Sequence, residues 1–156
     1  MASIDWCLKV NKGIRLIEPS ELKCRDYISR AEDDIKSMQT AQGHWKIITS
    51  YYACYDVLYA LLMKFGIKSE IHDCSIALMN LFSFKKEDIE FLEELKEDRI
   101  KVQYYLENIT LKDENKVKLF VLSVKEIISK SQKIDIENLR NLLMEKISNL
   151  SKGDKK

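Results

Sequence analysis

Apolar residues recur at helical spacing along most of the chain, and one segment breaks that pattern. In residues 87–109, which contain no Pro or Gly, one set of positions follows alternating steps of three and four: Leu92, Leu95, Arg99, Val102, Leu106 and Ile109. This spacing places all of them on one face of an α-helix. Burying an unpaired guanidinium is costly, because it stays charged in any protein environment. We therefore expect Arg99 either to open into a cleft or interface or to meet a carboxylate.

The same spacing predicts further helices on both sides of this segment. The first 18 residues are ambiguous, with a short helical turn around Ile4 and Leu8 as one interpretation. A helix from His44 to Phe65 is apolar on most sides, which predicts a position at the centre of a bundle. One further helix is predicted to start at Pro19 and to end at Gly43, and Gly66 is predicted to end the helix that starts at His44. Ser69 and Asp135 are predicted N-caps of two more helices, and the apolar spacing within residues 117–128 predicts another.

Short connections between these segments favour antiparallel neighbours. The chain has one Pro and four Gly, too few turn residues for an all-β fold with many hairpins. We predict an all-α, up-and-down antiparallel bundle of five to six helices with essentially no strand. Residues 1–150 are expected to form a single domain, followed by a disordered tail at 151–156.

Composition and charge narrow the function classes. The 156 residues carry a net charge of +1, so the overall charge does not argue for nucleic acid or an anionic membrane. Residues 1–10 include Asp5 and Lys9 and do not resemble a signal peptide. The apolar stretch at 45–65 contains Lys46 and Asp56, which favours a buried helix over a membrane span. We therefore predict a cytoplasmic protein without membrane contact.

The cysteines and histidines give no sign of a metal site or cofactor. The four cysteines, Cys7, Cys24, Cys54 and Cys74, lie far apart and form no Cys-x-x-Cys pair. We interpret them as reduced thiols that act as small hydrophobic side chains. Only two histidines are present, and neither has the spacing of a zinc ligand.

Recognisable catalytic signatures are also missing. The chain has no Gly-rich phosphate loop, no Gly-x-Ser-x-Gly and no His-Glu-x-x-His. Asp56 is the only acid in the predicted central helix, which makes it the first candidate partner for Arg99. The tyrosines of that helix bring hydroxyl groups that need hydrogen-bond partners or solvent.

Three short features follow one another within roughly residues 20–130. The first is Ser50-Tyr51-Tyr52-Ala53, followed by Leu61-Leu62 and Gly66. The second is His72, and the third is Arg99 with four residues before Tyr104. In this order they resemble the HEPN family of small helical-bundle proteins, in which many relatives carry a Ser-His pair near the position of His72. Nuclease members of the family carry Arg, four to six residues and then His, whereas the pattern from Arg99 to Tyr104 resembles that of a sister group.

The resemblance implies a homodimer in which the two Arg-containing helices lie near the two-fold axis. In the active branch, the Arg and His form a metal-independent ribonuclease, with Arg stabilising charge on the phosphate and His moving a proton. Many relatives act as the partner of a small nucleotidyltransferase. In some of these pairs, the partner attaches nucleotides to a Tyr near the motif.

Tyr104 departs from the active pattern in chemistry and in geometry. A tyrosine pKa of about 10 makes a poor general base at neutral pH. Five residues advance a helix by roughly 140° beyond a full turn, so Tyr104 should point away from Arg99. Gln103, four residues after Arg99, should share its face.

We therefore predict a dimeric HEPN-like module that partners a nucleotidyltransferase or responds to a nucleotide. Arg99 and Tyr104 are the candidate catalytic residues, and Tyr105, Gln103, His72 and Asp56 are candidate binding or interface residues. One alternative is an endoribonuclease toxin that uses Arg99 on an RNA target. Another is a structural bundle without a ligand, in which Arg99 forms an ion pair, His72 starts a helix or lies in the core, and Tyr104 and Tyr105 pack.

Overall fold

Helices form the framework of the protein in its computed structural model, which describes residues 2–153. These residues contain seven α-helices and one antiparallel two-stranded sheet. In chain order the elements are α1 Ile4–Lys9, β1 Arg15–Leu16, α2 Glu21–Thr40, α3 His44–Phe65, β2 Ile67–Lys68, α4 His72–Leu78, α5 Lys86–Tyr104, α6 Glu114–Lys130 and α7 Lys133–Gly153. The mostly helical architecture confirms the all-α prediction, but the predicted count of five to six helices is too low, because the short α1 and α4 are also helical. The pairing of β1 with β2 was not predicted.

The central position predicted for α3 is confirmed. Of its 22 residues, 15 are buried. It packs most extensively against α2 and also contacts α5, α6 and α7. A helix that touches several neighbours needs apolar side chains on most of its sides, and the sequence of α3 supplies them.

Two glycines mark the ends of α3, but only one of them does what was predicted. Gly66 has a φ of 69° and closes the helix, and its N–H bonds to the carbonyls of Leu62 and Met63. A Cβ on Gly66 would collide with the Ile17 carbonyl. Gly43 was expected to end α2, but α2 already ends at Thr40, and Gly43 precedes α3 as its N-cap residue.

The predicted cap residues of α4 and α7 also differ from the structure. Helix α4 starts at His72, and the buried Ser69 does not cap it but donates a hydrogen bond to the Ile71 carbonyl at 3.0 Å. Asp135 lies within the first turn of α7, which begins at Lys133. Its carboxylate accepts a hydrogen bond from the Gln132 N–H at 2.7 Å, so it still stabilises the helix start.

Helix α5 ends earlier than its hydrophobic pattern predicts. Leu92, Leu95, Arg99 and Val102 are buried on the expected face. The helix stops at Tyr104, and Leu106 has a φ of 55° and is 85% exposed. Because the chain leaves the helix, the regular spacing beyond Val102 no longer describes one face. The apolar side chain of Leu106 therefore projects into solvent.

The prediction of four reduced cysteines is wrong for two of them. Cys7 in α1 and Cys74 in α4 form a disulfide across a sequence separation of 67, and both are fully buried. Their spacing along the chain carries no signal of this pairing, because the two residues meet only in the folded protein. Cys24 and Cys54 are free thiols. Burial raises the pKa of the Cys24 thiol to about 11 and also raises that of Cys54, so both stay protonated.

The C-terminal helix continues past the domain boundary expected at residue 150. Residues 151–153 belong to α7, and the rest of the predicted tail, residues 154–156, lies outside the described residues. Within residues 2–153, none of the helices combines the length and the apolar character that crossing a bilayer requires.

Candidate functional site

Arg99 lies where α5 packs on α3, and it is 7% exposed. Its guanidinium carbon is 4.8 Å from the ring centroid of Tyr51 and 5.8 Å from that of Tyr52. These distances suit a cation–π interaction with two rings of the central helix. Its Nη1 donates a hydrogen bond to the Gln103 side-chain oxygen at 3.1 Å. The expectation that Gln103 shares the face of Arg99 is therefore confirmed.

The positive charge of Arg99 is not met by an acid. Within residues 2–153, the guanidinium forms no ion pair with a carboxylate, and its buried Nε has no hydrogen-bond partner. Aromatic faces and one amide oxygen stabilise a guanidinium without neutralising it. Arg99 is thus a buried charge with one unpaired N–H donor. This arrangement destabilises the folded protein unless a ligand or a partner supplies an acceptor.

Asp56 was expected to pair with Arg99, and this prediction is wrong. Asp56 follows Tyr51 by five residues on α3 and so points about 140° away around the helix. Its carboxyl group instead meets that of Asp34 on α2. Burial, followed by the hydrogen bond and the charge of Asp34, raises the pKa of Asp56 to about 8. The carboxyl group of Asp56 therefore keeps its proton at neutral pH.

His72, at the start of α4, contacts two tyrosines of α3. Its Nδ1 lies 2.7 Å from the hydroxyl of Tyr51, and its ring stacks on Tyr55 with a centroid distance of 4.1 Å. The Tyr55 hydroxyl lies 2.9 Å from the Ser75 hydroxyl, so the same two helices are joined twice. A histidine at a helix start was one of the structural interpretations, but here it also belongs to a hydrogen-bonded cluster.

The protonation states within this cluster follow from burial. Burial, with smaller contributions from Arg99 and Lys96, lowers the pKa of His72 to about 4, so the imidazole is neutral at pH 7. Burial also raises the pKa of Tyr51, which therefore keeps its proton. The Tyr51 hydroxyl and His72 Nδ1 therefore form a hydrogen bond between two neutral groups, and the tautomer of the imidazole decides which of the two atoms donates.

Tyr51 connects the two site residues that the sequence had singled out separately. The guanidinium of Arg99 lies over its ring, and its hydroxyl forms a hydrogen bond with Nδ1 of His72. Tyr51 belongs to the Ser50-Tyr51-Tyr52-Ala53 motif, and its side chain is fully buried. Beside this cluster, Lys96 of α5 forms an ion pair with Asp73 of α4 at 2.6 Å. Helices α3, α4 and α5 are thus joined around Arg99.

Tyr104 and Tyr105 do not join this cluster. They are 65% and 72% exposed, and they end α5 while Arg99 lies buried more than one turn earlier. Trp45 and Leu106 are exposed nearby and line a pocket of about 240 Å³. We call Trp45, Tyr104, Tyr105 and Leu106 the α5-end surface.

Gln103 links the α5-end surface to Arg99. It lines the same pocket as Trp45 and Leu106, and its side chain accepts the hydrogen bond from the guanidinium. A partner that covers the α5-end surface would therefore lie next to Gln103, which binds the unpaired guanidinium of Arg99. Exposed aromatic residues beside an Arg are typical of protein interfaces.

A scan against protein-family models, a search of curated proteins and a search of solved structures each return no match to this chain. Membership of the HEPN family therefore stays a prediction from the motifs. Within residues 2–153, no group of three or more His, Cys, Asp or Glu side chains is arranged to hold a metal ion.

Proposed function

We propose that this protein is a HEPN-like, up-and-down helical module that acts as a homodimer. The observation that carries the proposal is a buried Arg99 without a carboxylate partner beside an exposed aromatic surface. Symmetric dimers are the commonest oligomers, and an isologous contact uses the same surface on both copies. The α5-end surface offers such a patch, and in this dimer the two Arg99 side chains would lie close to the axis.

The dimer would leave positive charge to be matched by a partner. Two guanidinium groups near one axis repel each other unless an anion or an acidic side chain lies between them. A nucleotide or RNA phosphate satisfies this requirement, because Arg binds phosphate oxygens through paired N–H donors. The charge therefore supports a nucleotide-responsive module.

The position of Tyr104 favours a role as partner of a nucleotidyltransferase over its own catalysis. A tyrosine that receives a nucleotide must reach solvent, and Tyr104 is 65% exposed. A tyrosine that cooperates with Arg99 must lie beside it, but Tyr104 follows Arg99 by five residues on α5 and so points about 140° away around the helix. Co-expression with a small nucleotidyltransferase should add nucleotide mass to the chain, and the Tyr104→Phe variant should lose the increment that is attached at this residue.

The second candidate function is a metal-independent endoribonuclease. One observation favours it. The neutral His72 forms a hydrogen bond with Tyr51, and the guanidinium of Arg99 lies over the ring of the same tyrosine. A neutral imidazole has one unprotonated ring nitrogen, which is the group that a general base uses. Expression of the wild type and of Arg99→Ala separates the candidates. Degraded RNA in the wild type alone supports the ribonuclease, and intact RNA in both supports the partner role.

Light scattering tests the dimer. We expect twice the 18.3 kDa mass of the chain at micromolar concentration. Trp45→Ser with Leu106→Ser should give a monomer of unchanged helix content. Leu119→Ser with Leu122→Ser is the matched control, because these α6 leucines are also exposed, at 63% and 58%, but lie outside the α5-end surface. A monomeric wild type, or a dimer that survives the first pair of changes, would contradict the proposal.

A further inference from the structure

A second cleft lies apart from Arg99, between α2, the C-terminal half of α3 and β2. On α2, Lys23, Tyr27 and Arg30 follow one another at steps of four and three, so they share one face. Tyr59 of α3 and Lys68 of β2 complete the walls. The cleft has a volume of about 350 Å³, which lies within the range of small-molecule sites.

The cleft combines aromatic walls with positive charge. The rings of Tyr27 and Tyr59 meet edge to face at a centroid distance of 5.0 Å, and the Arg30 guanidinium lies 5.4 Å from the Tyr27 centroid. In the part of the chain that the structure describes, Lys23, Arg30 and Lys68 form no ion pair with a carboxylate. The rings provide an apolar contact for a flat group, and the cations favour an anion next to it.

The neighbouring acids determine which cations are available to a ligand. Arg30 interacts with the Asp34–Asp56 pair, which carries one negative charge when it shares a proton. Asp26 is the one acid that lines the cleft. Lys23 and Lys68 are therefore the residues expected to bind an anionic group, and Asp26 is expected to oppose it.

We propose that this cleft binds a small molecule in which a flat ring is joined to a phosphate or carboxylate group. The ring packs against Tyr27 and Tyr59, and the anionic group accepts hydrogen bonds from Lys23 and Lys68. This site is separate from Arg99 and does not depend on the function proposed above. Binding in the cleft requires both the flat ring and the anionic group of the ligand.

Isothermal titration with four probes tests the proposal. Adenosine monophosphate and phenylacetate carry both parts, with a phosphate and a carboxylate respectively, so they separate the two anionic groups. Adenosine and inorganic phosphate each carry one part. We expect at least one of the two-part probes to bind, and to bind more tightly than either single-part probe. Failure of both to bind at millimolar concentration, or equal binding of inorganic phosphate, would overturn the proposal.

Single substitutions locate the binding. Lys23→Ala and Lys68→Ala should each weaken binding about fivefold, since each removes one charged donor. Asp26→Asn should strengthen it, because it removes the opposing charge. Lys36→Ala is the matched control, as it removes the same charge from an exposed position of α2 outside the cleft. Equal affinity in the wild type and in the Lys23 and Lys68 variants would also overturn the proposal.

Discussion

The disulfide between Cys7 and Cys74 gives the largest stability prediction. It joins α1 to α4 across a sequence separation of 67. In the chain-entropy description, a crosslink that closes a loop of this length stabilises the folded state by about 4 kcal/mol, because it restricts the unfolded chain. Removing it with Cys7→Ala, which leaves no buried hydroxyl, should lower the free energy of unfolding by a similar amount.

The expected change is large enough for thermal unfolding to resolve. For a chain of this size, about 4 kcal/mol corresponds to a fall in melting temperature of roughly 10 °C. A dithiol reductant should lower the wild-type melting temperature in the same way and leave Cys7→Ala almost unaffected. Cys54→Ala is the control, because it removes a buried thiol that forms no disulfide.

A thiol count provides an independent check of the same reasoning. The unfolded, unreduced protein should show two reactive thiols, from Cys24 and Cys54. Four reactive thiols, or a wild-type melting temperature that does not respond to the reductant, would refute the argument. The chain would then match the sequence interpretation of four reduced cysteines.

Three further predictions follow from the contacts of α3. The pKa of Asp56 is raised to about 8, so the folded chain keeps a proton that the unfolded chain releases near pH 4. The stability that this proton contributes should therefore be lost as pH rises from about 4 to 8, and urea unfolding of Asp56→Asn should not show this loss. Gly66→Ala should destabilise by more than about 1 kcal/mol in the same assay, because φ is positive and a Cβ would collide with the Ile17 carbonyl. Tyr51→Phe should cost about 1–3 kcal/mol, since Nδ1 of the half-buried His72 loses its hydrogen-bond partner, and an unchanged unfolding midpoint would contradict this hydrogen bond.

Local spacing predicted those parts of the site that lie on one helix. Arg99 and Gln103 are four residues apart, and the helical repeat alone places them side by side. The central position of α3 followed from its apolar residues in the same way. These features depend on the geometry of a single element, which the order of residues determines directly.

Features that depend on contacts between elements were not accessible from the sequence. The partner of Asp56 is Asp34 because of the packing between α2 and α3, and spacing within α3 carries no information about it. The same limit applies to Cys7 and Cys74. The early end of α5 was missed for a local reason, since neither Gly nor Pro follows Tyr104 to mark it.

The free energy of unfolding of Arg99→Leu tests the central claim, that Arg99 is retained for binding and not for stability. Leu would complete the aliphatic face formed by Leu92, Leu95 and Val102, and no acid paired with Arg99 would be left without a partner. Urea unfolding is measured with the variant and the wild type at the same protein concentration. We expect the variant to have a free energy of unfolding equal to or above that of the wild type. A value lower by about 3 kcal/mol or more, as expected when a buried ion pair is broken, would make Arg99 a structural residue and contradict the account.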